Sequence, residues 1–189
     1  GAVPATIVVS EGVVHVGIDD ATLQRIAWND DAGKTSSGDL AWSVVRGRTA
    51  GTTVSATLHI AARLAPSPIR VFATGGIGGV HRGWTRLPDV SADLDALAAH
   101  AVCTVCAGAK SILDLPATVE ALETRGVPIV GYGTTRFPRF YASGSDDLTL
   151  EVSVDDAAGC AEICRMQWET LRLERGVLLV QDPPEAVSY

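Results

Sequence analysis

Val102-Cys103-Thr104-Val105-Cys106-Ala107-Gly108-Ala109-Lys110 is the stretch on which the fold turns. Alternating Val and Cys around a β-branched Thr predict a strand, Ala101 to Cys106, that is covered on both faces as in a parallel sheet. Ala107, Gly108 and Ala109 then add little side-chain bulk, so a ligand can come close to the backbone. Lys110 follows directly. An ammonium held at the end of a buried strand is partly desolvated, which favours the neutral amine and lets it attack a carbonyl. The plainer reading is a lysine that snorkels from a strand end to water.

Outward from this strand, helical and extended patterns alternate. Thr6 to Ser10 and Val13 to Gly17 read as a hairpin about Glu11-Gly12. Asp19 caps a helix to about Trp28, and a polar loop from Asn29 to Gly38 holds Lys34. Asp39 starts a short helix through Val45, and Thr52 or Thr53 caps a longer one to about Leu64. Ile69 to Ala73 is a strand that enters the glycine loop Gly75-Gly76-Ile77-Gly78-Gly79, and Ser91 to Ala99 is a helix. Pro116 suits the first turn of another helix and Gly126 its stop. Val127 to Gly131 is a strand, Asp155 to Arg175 a long helix closed by Gly176, and Val177 to Val180 a last strand. The alternation predicts the α/β class: a three-layer α/β/α sandwich with a central, largely parallel mixed sheet, in one domain over residues 1–189.

With 47% hydrophobic and 20% charged residues, the 189-residue chain has enough apolar material for one sizeable core. A formal charge of −7 leaves no basic stripe to release counterions, which argues against nucleic acid as a partner. No secretory n-region and no apolar run of membrane-spanning length is present, so no membrane partner is expected and the cytoplasm is the expected location. Cys103-x-x-Cys106 and Cys160-x-x-x-Cys164 have superficially zinc-like spacing. Residues three apart on a strand point to opposite faces, so Cys103 and Cys106 do not share a metal. Cys160 and Cys164 share a helix face with Ile163 and Trp168, and all four are read as buried free thiols in a reducing compartment.

Ligands of such sheets gather at the carboxyl ends of strands. Three segments reach that edge: the Gly75 to Gly79 loop, the Lys110 loop, and Gly131 to Phe140. The glycine loop offers backbone amides to a phosphate, but His81 stands where a dinucleotide fingerprint has its final glycine. Ser91 is a natural N-cap and Asp93 sits in the first turn, where the helix dipole favours a carboxylate. Capping alone accounts for both. Asp89 lies outside the helix, and a lone carboxylate with waters suits Mg²⁺ or Mn²⁺. The Thr52-Thr53-Val54 helix start offers hydroxyls and free amides to an anion, over which Lys34 can close.

Taken in order, these segments resemble the pseudouridine-5'-phosphate glycosidase family, also called the indigoidine synthase A-like family. The matching stretches are GAVPATI at the start, K-x-S-x-x-DL from Lys34 to Leu40, and GTTV from Gly51 to Val54. VFATGGIGGVHRG from Val71 to Gly83, D-V-SADL from Asp89 to Leu94, and CAGAKSILD from Cys106 to Asp114 continue the match. LETRGVPIVGYGT and FP-x-FY complete it, covering nearly the whole chain. The resemblance implies reversible hydrolysis of the carbon–carbon glycosidic bond of pseudouridine 5'-phosphate, giving ribose 5-phosphate and uracil, with a manganese ion. It implies that Lys110 is the nucleophile, forming an imine at C1' of the opened ribose, and that Asp89 is the metal-associated aspartate. It assigns Lys34, Thr53, Val54, His81, Ser91, Ala92 and Asp93 to the sugar phosphate, and implies a homotrimer. An imine is a fitting electron sink, because a carbon leaving group cannot depart by simple oxygen protonation as in two-carboxylate glycosidases.

The departures are equally definite. The resemblance implies that the family's general-acid glutamate lies before Gly1 and that a base-contacting asparagine lies after Tyr189, so this chain holds neither. Ser37-Gly38 replaces a usual pair of arginines, Thr135 replaces an acidic residue, and Pro66 to Pro68 is a short insertion. Trp84 stands where a small residue is common and offers a flat surface to a larger aglycone. The alternative expectation is therefore a synthase joining ribose 5-phosphate to an aromatic natural-product acceptor. A non-catalytic sugar-phosphate binder is a third, motivated by the acid outside the chain.

Overall fold

Glu11 and Gly12 both adopt left-handed backbone, with φ of 52° and 77°, which matches the twist of a two-residue hairpin turn. They join β1 (Ile7–Ser10) to β2 (Val13–Val16) in antiparallel register. The computed structural model describes residues 1–145 and 147–184. After the hairpin come α1 (Asp20–Ala27), β3 (Gly33–Thr35), α2 (Leu40–Val45), β4 (Ala50–Thr52) and α3 (Val54–Ala61). Then follow β5 (Val71–Ala73), α4 (Ala92–Ala99), β6 (Cys103–Cys106), α5 (Leu115–Thr124) and β7 (Ile129–Tyr132). The described chain ends with β8 (Val152–Val154), α6 (Ala157–Arg165) with a π-helical turn at Met166–Thr170, and β9 (Val177–Val180).

The α/β class and the parallel sheet are as expected, but the strands fall into two sheets. The first, in the order β2-β1-β4-β3, is mixed: β1 pairs antiparallel with β2 and β4, and β3 pairs parallel with β4. The second, β5-β6-β9-β7-β8, is parallel throughout. The division follows from α3, which carries the chain away from β4 and returns it as β5 beside β6. β9, last in sequence, sits at the centre of its sheet and is fully buried.

Alternation along the central strands assigns the two faces. Leu178 and Val180 join Leu58, Leu94, Leu97 and Leu122 beneath α3, α4 and α5. Val177 and Leu179 pack with Cys103, Cys160 and Cys164 beneath α6. Helices therefore cover both faces, giving the three layers. Cys103 and Cys106 do point to opposite faces, and all four cysteines are free and buried. Burial pushes the Cys106 thiol up to about 12.

Four local expectations need correction. Lys34 lies on β3, not in a loop, because Gly33, Lys34 and Thr35 pair with Ala50, Gly51 and Thr52. The three-residue strands β3, β4 and β8 are too short for periodicity to reveal. The last helix stops at Arg165 and widens into the π turn, and Arg172 reverses with φ of 57°. Gln167 and Trp168 side chains donate to the Arg175 carbonyl and draw the chain back towards the sheet. Gly176 is no helix stop: it threads between the Leu97, His100 and Val102 carbonyls, about 3 Å from where a Cβ would stand. Among the described residues no helix is long and apolar enough to cross a membrane.

His100 closes α4 in a nearly buried position, edge-on to His59. Burial, then the Arg63 guanidinium and His59, hold its imidazole below the ordinary histidine value near 6.5. The unfolded chain therefore takes up the proton more readily than the folded one. Stability is expected to be full above about pH 6.5 and to fall as acid approaches the lowered folded value. Urea unfolding at pH 7.5 and 5.5 checks this, with a smaller loss expected in His100→Gln than in the parent.

Candidate active site at the carboxyl edge of the parallel sheet

The β5–β6 ladder does not stop where the strands stop. Thr74 donates to the Val105 carbonyl, Ala107 to Gly75, and Ile77 to Gly108, at 2.9, 3.0 and 3.0 Å. The glycine loop and the Lys110 loop thus leave the sheet as one hydrogen-bonded pair, with Ile77 opposite Ala109. The third segment joins them although β9 separates β7 from β6: Phe140 donates to the Ala107 carbonyl, and its ring lies against Gly75 and Gly76. Gly108 has φ of 79°, and a Cβ there would strike the Pro138 carbonyl. Only glycine fits this crossing.

The fourth wall comes from the first sheet. Thr53 stands at the N-cap position of α3 without a side-chain capping hydrogen bond, and the first amides of the helix have no partner within it. One of them, the Ser55 amide, donates to Asp93 at 2.9 Å, and the Gly78 amide donates to its other carboxylate oxygen at 2.9 Å. Asp93 is buried at 7% exposure and thereby ties α3 and the glycine loop to α4. Ser91 caps α4 by accepting from the Asp93 amide, and its side chain fills the space that a Cβ on Gly78 would need.

The Ser36–Asp39 turn completes the rim. Ser37 donates its backbone amide to the Ser55 hydroxyl, so the Ser36–Asp39 turn docks on the start of α3. Asp39 turns back to accept from the Ser36 hydroxyl at 2.7 Å and the Trp42 indole at 3.1 Å. Those hydrogen bonds, Ser36 first, hold its carboxyl below the usual carboxylate range.

The result is a cavity of about 690 Å³. Lys34, Thr53, Val54, His81, Ser91, Ala92, Asp93 and Lys110 all line it, although they come from five separate segments of sequence. Asp89 does not line the cavity but stands beside it, 3.7 Å from His81 Nδ1. Its carboxylate is 61% exposed. One accessible carboxylate with an imidazole beside it fits a hard or borderline divalent ion such as Mn²⁺ that keeps most of its waters.

Two expectations change. Lys110 is exposed, because it follows the buried Ala109 at the open mouth of the cavity, so the strand by itself does not desolvate it. Asp93 spends both carboxylate oxygens on backbone amides and so positions the walls. Asp39, Ser55 and Phe140 also line the cavity and were not singled out from sequence. The FP-x-FY motif was the one available signal for Phe140.

The family described as Indigoidine synthase A like protein matches residues 1–189. A Myxococcus xanthus protein named pseudouridine-5'-phosphate glycosidase is 47% identical over 189 residues, which make up 100% of this chain and 61% of the relative. A Streptomyces griseus protein of the same name is 47% identical over 183 residues, covering 97% of this chain and 55% of the relative. The chain thus spans about three fifths of the length of the curated relatives it matches. The prealnumycin C-glycosynthase AlnA, solved in complex with ribulose 5-phosphate, superposes with a TM-score of 0.91 at 36% identity. That match covers 100% of this chain and 61% of AlnA. An indigoidine synthase A-like protein from Thermotoga maritima superposes at 0.88 with 32% identity, covering 98% and 60% of the two chains.

Asp93→Asn keeps the shape but turns one oxygen into an amide donor facing a backbone N–H. The expected loss is about 2–3 kcal/mol, or a melting point lower by roughly 4–12 °C in a domain of this size. Urea unfolding and calorimetry check it.

Proposed function

This chain belongs to the indigoidine synthase A like protein family, and from that premise we propose that its cavity breaks or makes the carbon–carbon bond between ribose 5-phosphate and a base. The substrate of the main reading is pseudouridine 5'-phosphate. The observation that carries it is the convergence of Lys110, Lys34 and the amide end of α3 on one cavity. Lys34, Thr53 and the Val54 amide take the phosphate, as a helix start takes an anion. His81, Ser91 and Ala92 flank the sugar between phosphate and Lys110.

Lys110 then adds through Nζ to C1' as the ring C–O bond opens. The nitrogen lone pair expels the base carbon, which takes up a proton, and leaves an imine at C1' that water hydrolyses to the aldehyde of ribose 5-phosphate. Bound substrate covers the open mouth and supplies the desolvation that the strand end alone does not. Asp39 and Asp93 are held in hydrogen bonds within the protein, so neither is the acid that protonates the base carbon. The family resemblance gives that step to a glutamate outside these residues. Asp89, with His81 beside it, would hold Mn²⁺, which supplies positive charge near the developing negative charge of the opened sugar.

The similarity to AlnA supports a second reading, C-ribosylation of an aromatic acceptor, and Trp84, 42% exposed, offers the flat surface such an acceptor needs. Exposed apolar Leu87, Val90 and Ile112 support assembly as a homotrimer, to be checked by sedimentation.

Ribose 5-phosphate followed by borohydride is expected to leave a reduced adduct on Lys110 by peptide mass spectrometry, and Lys110→Gln to leave none. An adduct elsewhere, or none in folded protein, removes the imine route. Turnover with uracil but not with bulky aromatic acceptors selects the glycosidase over the synthase. Asp89→Asn is expected to weaken Mn²⁺ binding about tenfold or more, read by the electron paramagnetic resonance of free Mn²⁺.

A further inference from the structure

On the face of the parallel sheet that carries α6, three thiols converge that the carbon–carbon chemistry leaves unused. Cys103 projects from β6, and Cys160 and Cys164 stand one turn apart on the inner side of α6. The Cys103 and Cys160 sulfurs are 3.9 Å apart, and all three sulfurs lie within 4.8 Å of one another. The residues are 5%, 5% and 7% exposed, and none is in a disulfide.

We infer that Cys103, Cys160 and Cys164 form a three-sulfur site for a thiophilic closed-shell cation, Zn²⁺ or Cu⁺. Thiolates about 2.3 Å from a shared ion have sulfurs roughly 3.8 Å apart in a tetrahedral arrangement and roughly 4.0 Å apart in a trigonal plane. The Cys103–Cys160 pair already has that spacing, and no other pair needs to close by more than about 1 Å. Sulfur donors select these ions and reject Mn²⁺ and Mg²⁺, so the trio and Asp89 do not compete for one metal.

The surroundings supply the remaining requirements. The three cysteines line a groove of about 770 Å³, which gives an ion its entry path and leaves a side open for a water or for Glu169 as a further ligand. Arg70, Arg165 and Arg172 line the same groove. Arg70 is held there, with its guanidinium 5.6 Å from the Trp168 ring centre and a 2.7 Å hydrogen bond to the Ala101 carbonyl. Three thiolates with Zn²⁺ or Cu⁺ keep a net negative charge, and a buried anionic site persists only where positive groups stand by. Hydrophobic packing explains why each thiol is buried. It does not explain why three sulfurs from two elements meet on one groove among arginines.

An ion here would brace α6 against β6, on the sheet face opposite α4 and α5. Its role is separate from the Lys110 cavity.

The test titrates the reduced, metal-free full chain under argon with Co²⁺, the visible-absorbing surrogate of Zn²⁺, and with Cu⁺ held by a competing chelator. The expected result is one equivalent bound with a sulfur-to-metal charge-transfer band, and a higher melting temperature. Cys103→Ser, Cys160→Ser and Cys164→Ser should each weaken binding at least about tenfold, and Cys106→Ser, on the opposite face, should not. Protection of the three cysteines from alkylation by bound Zn²⁺, mapped by peptide mass, reads the same site without a variant. No charge-transfer band with either ion, unchanged alkylation, or equal loss in Cys106→Ser overturns the site. So does an intramolecular disulfide within the trio in protein isolated without reductant.

Discussion

The cavity rests on the Asp93 carboxylate. Its two oxygens accept from the Ser55 amide at the start of α3 and from the Gly78 amide in the glycine loop. Those amides follow strands of different sheets, β4 and β5, so one buried carboxylate joins the two halves of the molecule at the place where they face each other. A carboxylate suits this task because it is an acceptor at both ends and pairs strongly with backbone N–H groups. The small residues around it follow from the same demand. Gly78 has to pass close to Ser91, and any side chain there would push the loop off the carboxylate.

The parallel sheet supplies the second constraint. Its strands end together at one edge, and the loops that leave β5 and β6 stay hydrogen-bonded for several residues beyond them. Lys110 is therefore presented from a braced loop, although its own side chain is exposed. Its position is set by backbone pairing, with Phe140 packed over the glycines and Gly108 crossing beneath Pro138. Braced walls with an open mouth suit the reaction proposed for the cavity, which must admit a sugar phosphate and a base together.

The two faces of that sheet carry different chemistry. Under α3, α4 and α5 the core is mainly aliphatic around the buried Phe137, with Cys106 closed off among leucines and valines. Under α6 it is rich in sulfur and open to an arginine-lined groove. The two-residue period of β6 separates them, because Cys103 and Cys106 cannot share a face.

Local sequence determined much of this protein. Alternation over Cys103–Cys106, the caps at Ser91 and Asp114, the Gly126 stop and the hairpin at Glu11-Gly12 are all decided by nearest neighbours. The motif order marked in advance the residues that line the cavity, since Lys34, His81 and Lys110 sit in segments readable as units. Tertiary structure alone decided the rest. β3 and β4 exist because they pair with each other and β4 with β1, and three residues carry no period of their own. The end of α6 depends on Gln167 and Trp168 reaching the Arg175 carbonyl, a contact that helical spacing does not announce. Asp93 reads as an ordinary first-turn acid until two distant amides arrive at its oxygens. The meeting of Cys103 with Cys160 and Cys164 likewise spans more than fifty residues of sequence. Caps and periods act within one or two turns of chain, whereas convergence is set by which elements share a core, and that is a property of the packed molecule.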